Sequence, residues 1–154
     1  MQKKVNKNIH IVNKKATFLF NILKKYTAGI ILKGTEVKAI RLSAVSINEA
    51  YCYFKANELY IKNMNIGEYK HGTYMNNIPN RERKLLLNKK ELNALLIKIK
   101  EKGLTIIPLS IKTSETEYVK LEIGLAQGKK LFDKRNAIKE KDQKRNLDRI
   151  KKQF

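Results

Sequence analysis

Tyr118-Val119-Lys120-Leu121-Glu122-Ile123-Gly124-Leu125-Ala126-Gln127-Gly128-Lys129-Lys130 is the stretch on which the reading of this 154-residue chain turns. Up to Gly124 it alternates, placing Val119, Leu121 and Ile123 on one face, the pattern of a half-buried strand. Beyond Gly128 the apolar residues thin out and charged, helix-prone residues continue to Phe154. From Lys129 onward eleven Lys or Arg stand against four Asp or Glu, a surplus of seven in 26 residues. Ile138 and Leu147 fall on opposite sides of a helix, and only Leu147, Ile150 and Phe154 align, too short a stripe to dock it. An isolated helix of this length is marginal in water. The chain thus reads as a globular body ending near Gly128 and a basic tail, residues 129–154, disordered when free and helical when bound.

Working back from that strand, Thr105 to Ile111 is a second one, with Ile107, Leu109 and Ile111 on one face. Before it lies the clearest helix. Asn88 and Glu91 stand at capping positions, Leu92, Leu95, Leu96 and Ile99 recur at i, i+3, i+4 and i+7, and Gly103 closes it. Residues 65–83 show no sustained periodicity and read as a long loop of the kind that often carries function, ending in Arg81-Glu82-Arg83-Lys84. Leu59 to Met64 pairs back across Ala56-Asn57-Glu58 on the strand Tyr51 to Phe54. Ser46-Ile47-Asn48-Glu49 fits the capping box of a short helix. Ala28 to Leu32 and Glu36 to Leu42 are further β-type runs with Gly34 at a turn or bulge between them. Phe18, Phe20 and Ile22 alternate as in a strand, and the lysine-rich residues 1–12 read as a flexible basic arm. The expected fold is mainly β. Many short antiparallel strands avoid open edges by closing, giving a small barrel of the OB type with two or three short helices and the basic tail.

Composition narrows the function. The net charge is +20 with 42% hydrophobic residues, so the charge is added to a folded body. Removing the tail's surplus leaves a net charge of +13 on residues 1–128. That surplus favours nucleic acid or an anionic membrane as partner. No apolar run approaches the roughly 20 residues needed to span a bilayer, and no secretory or lipidation motif is read at either end. The single cysteine, Cys52, excludes a disulfide framework and is read as a reduced, cytoplasmic setting.

Enzyme chemistry finds no foothold. His10 and His71 lack a Cys, His or carboxylate at metal-ligand spacing. Cys52 lies in an apolar strand and reads as a structural thiol. No phosphate-cradling glycine loop is present, and the scattered acids do not form a two-metal centre. No catalytic residue, metal site or cofactor is therefore assigned. Arg81, Arg83 and Lys84 frame the entry to a helix, and Lys33, Lys38 and Arg41 lie beside aromatics such as Tyr26. Cations interleaved with rings on a small barrel suit RNA, where phosphates meet charge and unstacked bases meet rings. The residues alone reach an RNA-binding barrel with a tail, which leaves open a ribosomal or ribosome-assembly protein and, less readily, an RNA-processing enzyme.

Five segments, in order, resemble the small protein B family, whose members bind transfer-messenger RNA in bacterial ribosome rescue. They are Asn13-Lys14-Lys15-Ala16, Ala28-Gly29-Ile30, Gly34-Thr35-Glu36-Val37-Lys38, Arg81-Glu82-Arg83-Lys84-Leu85-Leu86-Leu87-Asn88, and Gly124-Leu125-Ala126-Gln127-Gly128-Lys129-Lys130 with Asp133-Lys134-Arg135. The likeness runs from Asn13 to about Lys152. It implies an OB-like barrel over residues 13–128 that binds the elbow of the tRNA-like part of transfer-messenger RNA. Asn13, Glu36 and Lys120 match positions of elbow recognition or of holding that surface. With Lys14, Lys15, Lys38, Arg41, Arg81, Arg83 and Lys84 they make up the expected RNA-binding set. Glu36, an acid on a basic face, is expected to orient a neighbouring Lys or Arg, or to accept from a base or ribose.

The resemblance further implies that the tail enters the decoding region and the empty mRNA channel of a stalled ribosome. Gly128, Lys129, Lys130, Phe132, Asp133, Lys134 and Arg135 match the decoding-site segment, and Ile138, Lys139, Arg145, Arg149 and Ile150 follow along the tail. Expected partners are transfer-messenger RNA, small-subunit ribosomal RNA and, indirectly, elongation factor Tu with the alanyl-charged RNA. The protein is expected to be a cytoplasmic monomer that catalyses nothing. Three departures stand out besides Phe132, where members usually carry His or Tyr: Thr27 for Glu, Lys112 for Tyr and Gln127 for Lys.

Overall fold

The computed structural model describes residues 8–72 and 78–153. In chain order the elements are β1 (His10–Val12), α1 (Lys14–Leu19), β2 (Phe20–Ile30), α2 (Gly34–Arg41), β3 (Val45–Ser46), β4 (Tyr51–Lys55), β5 (Glu58–Lys62), β6 (Asn65–Ile66), β7 (Arg83–Leu86), α3 (Lys89–Lys98), β8 (Leu104–Thr113), β9 (Val119–Gly128) and α4 (Leu131–Lys152). The architecture is mainly β with several helices.

All pairings are antiparallel. β8 pairs with β4, β4 with β5, β5 with β7, β7 with β2, β2 with β9, and β9 returns to β8. The six ladders therefore run in a complete cycle, and β1 adds to β8 through His10↔Lys112 and Val12↔Ser110. β3 and β6 form a separate two-stranded sheet. The main core lies within the cycle, built from residues such as Ala28, Ile40, Leu59, Ile61, Met64, Leu95, Ile106, Leu121 and Ile123.

Several expectations give way to local physics. Of the predicted strand through Phe18, Phe20 and Ile22, the last two open β2 while Phe18 belongs to the helix Lys14–Leu19, which Asn13 caps: its side chain accepts from the Lys15 amide at 3.2 Å. Glu36 to Leu42 belongs to a helix, not a strand, and Gly34 is its first residue. Its buried positions are Glu36, Ala39 and Ile40, spaced i, i+3, i+4, and a carboxylate at the first hides the helical period. The Glu36 carboxylate also accepts from the Lys33 amide at 2.9 Å, fixing the first turn. The expected helix after Ser46 does not form; Ser46 ends a strand and residues 47–50 make a turn. The basic arm also ends early, since Ile9 is buried and β1 is paired; residues 1–7 lie outside the described set.

The β4–β5 hairpin turns on Ala56 and Asn57, both with left-handed φ (50° and 60°), the backbone of a tight two-residue turn. On β8 the predicted common face of Ile107, Leu109 and Ile111 is split. A register shift between Pro108 and Ser110 leaves Ile107 and Leu109 in a small cluster with Ala16 and Ala126, while Ile111 turns into the main core.

Candidate nucleic-acid interface

The best-built polar feature is a buried cluster between α2 and β7. Glu36 is 4% exposed and Arg83 1% exposed. Glu36 Oε1 accepts from Arg83 Nε at 3.0 Å, Arg83 Nη2 at 2.8 Å and Arg81 Nε at 2.8 Å, while Oε2 accepts from Arg81 Nη2 at 2.5 Å. Burial alone would raise the Glu36 pKa. The hydrogen bonds from Arg81, the Lys33 amide and Arg83 outweigh it and hold the carboxyl below its ordinary range. Burial pulls the Arg83 pKa down, and Glu36 opposes that pull.

Arg83 also donates to the carbonyls of Met64 at 2.7 Å, Arg81 at 3.1 Å and Pro79 at 2.9 Å. It thereby ties together the two ends of the segment between β5 and β7, helped by the Ile66 amide on the Pro79 carbonyl at 3.1 Å. Residues 73–77 of that segment lie outside the described set. Arg83, expected among the RNA contacts, is a core staple. Its guanidinium cannot meet a phosphate from there. Glu36 orients both arginines, one of the two roles expected of it.

Other predicted residues divide by location. Lys38 is exposed on α2, with its ammonium 5.4 Å from the Tyr69 ring centroid. Tyr69 in turn meets His71 edge-on at 5.4 Å. Neither ring carries a spacing signal, and sequence reasoning missed both. Arg41 ends α2 and lies 3.8 Å from Glu117 in the β8–β9 turn. Lys120, half-buried on β9, stands across from Lys112 and Gly29. Lys84 faces the other side of β7 from Arg83 and pairs with Glu58 at 2.5 Å.

A second group surrounds α1 and the start of the tail. The Asn13 side chain is buried and donates to Pro108 O at 2.9 Å and Ile47 O at 3.3 Å, so it locks α1 onto β8. Lys14 and Lys15 are exposed, the latter paired with Glu49. At the end of β9 Gly128 is exposed, and the Lys129 amide donates to Leu19 O at 3.0 Å while its ammonium reaches Thr17 O at 2.8 Å. Lys130 precedes α4. Along that helix run Phe132 (70% exposed), Asp133, Lys134, Arg135, Ile138, Lys139, Arg145, Arg149 and Ile150, and no residue of it is buried. Of the stripe, Leu147 and Ile150 are exposed, and Phe154 lies outside the described residues.

Cys52 is buried, and burial pushes its thiol pKa up, so it is held as the neutral thiol. Among the described residues no group of His, Cys, Asp and Glu could hold a metal ion, and no helix is long and apolar enough to cross a membrane.

Comparison with known proteins gives one consistent result. The family model described as SmpB protein matches residues 10–153. An SsrA-binding protein of Cytophaga hutchinsonii is 56% identical over 97% of this chain and 97% of its own length. One of Flavobacterium psychrophilum is 52% identical over 96% and 99%. A solved structure described as tmRNA-SmpB on a journey to the center of the bacterial ribosome aligns with a TM-score of 0.69 at 44% identity. It covers 84% of this chain and 94% of that chain. With the match spanning both the cyclic sheet and α4, the chain belongs to the SmpB protein family.

Proposed function

We propose that this chain is the RNA-binding adaptor of trans-translation, which binds the tRNA-like elbow of transfer-messenger RNA and delivers it to ribosomes stalled on truncated mRNA. The observation that carries the reading is the pairing of a closed ring of ladders with a 22-residue helix that buries none of its own residues. Residues 13–128 form the OB-like barrel that holds RNA, and residues 129–154 form the part that leaves it. α4 would extend roughly 33 Å at about 1.5 Å per residue, a length suited to the empty mRNA channel. Its charge suits walls of phosphate.

On the body, Lys38, Arg41, Arg81 and Lys120 supply the cations that meet the elbow, over a surface shaped by Glu36, Arg83 and Asn13. Lys14 and Lys15 extend that basic surface along α1, and Lys84 adds a cation from the outer side of β7. Phe132 enters the decoding region as a stacking ring without a polar edge. The tail orders as a helix within the channel and is mobile before that. Elongation factor Tu with alanyl-charged RNA completes the assembly indirectly, in the cytoplasm, with the protein as a monomer that performs no chemistry.

The test is capture of the protein from its native cells under crosslinking, followed by sequencing of the bound RNA. Dominant recovery of one tRNA-like RNA bearing a short reading frame, crosslinked at its elbow, is the expected result. Recovery of ribosomal RNA alone would overturn the adaptor reading.

A further inference from the structure

β4, β5 and β7 present a second surface, of which the elbow-binding reading uses only Lys84. Strand alternation sends Cys52, Phe54, Leu59, Ile61 and Leu85 to the core and leaves Tyr51, Tyr53, Tyr60, Lys55, Lys62 and Lys84 on the outer side. Register brings them together: Tyr53 lies directly opposite Tyr60, Tyr51 opposite Lys62, and Tyr60 opposite Lys84. The three rings form one row, with centroids 6.1 and 6.3 Å apart. Their planes are inclined by 44° and 31°, too tilted to stack on one another.

Two of the rings are held at their hydroxyls. Tyr60 donates to Glu58 at 3.2 Å, and Lys84 fixes that carboxylate from the other side. Tyr53 is bonded to Glu82, which lies 3.7 Å from Lys55. The Glu82 hydrogen bond, with burial second, pushes the Tyr53 pKa up to about 12, so the ring stays neutral. Lys55 also sits 6.0 Å from the Tyr60 centroid. Both glutamates are thus engaged in aiming rings, and three lysines against two acids leave the face cationic. Tyr51, at the end of the row, is 40% exposed.

We propose that this face is a stacking platform for an unpaired segment of RNA, separate from the surface carrying Glu36, Lys38, Arg41 and Lys120. Pre-aimed rings in a row with cations alongside meet the two needs of a single strand, π-faces for successive bases and positive charge for the backbone between them. Double-stranded RNA does not fit this chemistry, since its bases are already stacked and its grooves are read by shape.

The test uses the full chain with two fluorescently labelled strands of equal length, a short oligouridylate and its abasic counterpart. They carry the same phosphates, so attraction to the net charge is common to both and only stacking separates them. The unsubstituted protein is expected to prefer oligouridylate. The double variant Tyr51→Ala/Tyr60→Ala is expected to lose that preference, roughly 5- to 150-fold for each base it no longer stacks, with abasic affinity unchanged. Tyr51→Phe/Tyr60→Phe keeps the rings and should keep the preference. If the double variant melts early, Tyr51→Ala alone, at the most exposed ring, gives the same reading. Equal affinity of the unsubstituted protein for the two strands overturns the proposal, and so does a preference that survives in the Ala variants or an equal loss on both strands. Failure of the elbow reading would register elsewhere, as indifference of the unsubstituted protein to a structured tRNA-like RNA.

Discussion

Replacing Glu36 with Gln keeps the shape of the α2–β7 cluster and removes its only negative charge. Glu36 receives four guanidinium hydrogen bonds, two from Arg81 and two from Arg83. Arg81 is partly exposed, with 24% side-chain accessibility, and can turn to water. Arg83, at 0%, cannot. The variant therefore leaves one buried cation without its counter-ion, a class of change that costs roughly 3–5 kcal/mol. For a chain of this size that is a fall in melting temperature of roughly 6–20 °C, at about 2–4 °C per kcal/mol. Thermal melts followed by circular dichroism, at matched ionic strength, measure it directly. The pH dependence checks the cause. Because the carboxyl pKa is held below 4.5 in the folded state, its stabilisation is present above about pH 4.5 and is lost as pH falls through the folded value. The gap between unsubstituted and Glu36→Gln proteins should stay constant above that point and close below it. A melting difference under about 2 °C at neutral pH, or a gap that widens in acid, would refute the argument that Arg83 is a desolvated cation held by Glu36.

Removing residues 129–154 should leave binding of the tRNA-like RNA nearly intact and abolish peptide tagging on stalled ribosomes, because no residue of α4 is buried; loss of RNA binding in a folded truncation, seen by filter binding, contradicts the division of labour. Neutralising Lys38, Arg41 and Lys120 should flatten the log–log salt dependence of RNA binding by about 0.7–0.9 per lost phosphate contact. Arg83→Met should lower the melting temperature with the slope unchanged, since Arg83 lies inside the fold. Gly124→Ala should destabilise by roughly 1–3 kcal/mol, because a Cβ there would come within 3.0 Å of Leu109 Cδ1 and 3.1 Å of Ile22 Cγ2; a denaturant midpoint equal to that of the unsubstituted protein would contradict it.

Sequence pattern revealed most of the sheet because strands with one buried face advertise it. β4, β5 and β9 all appear in the alternation of Cys52, Phe54, Leu59, Ile61, Leu121 and Ile123. What stayed hidden obeys other rules. The helical period of α2 is hidden because its inward positions include a charged residue whose compensation comes from Arg81, just before β7, and Arg83, at its start, 45 and 47 residues away. α1 was missed because one buried asparagine, held by carbonyls of Ile47 and Pro108, decides it. Arg83 and Lys84 are adjacent and equally basic, yet strand alternation sends one into the core and the other to the surface. A run of cations on a strand is therefore a mixture of roles, separable only once register is known. Charge and the resemblance together supplied the expected set of site residues; neither distinguished those that shape the surface from those that face outward.

Charge is organised differently in the two parts of the chain, and that difference bears on how a protein with a surplus of twenty positive charges holds a definite shape. Seven of the body's acids take part in ion pairs: Glu36, Glu49, Glu58, Glu82, Glu101, Glu117 and Glu122. Among the described residues every such pair lies within the body and none on α4. Acids in the body thus fix particular cations in place, Arg81 and Arg83 above all, so that part of the positive charge becomes internal scaffolding. On α4 the cations meet no such partners within the fold, and self-repulsion along an unburied helix opposes its order in isolation. A polyanion relieves that repulsion and supplies the missing partner surface at once. The body's cations are thus fixed in part by acids of the same fold, whereas α4 buries none of its residues and leaves its charge facing outward.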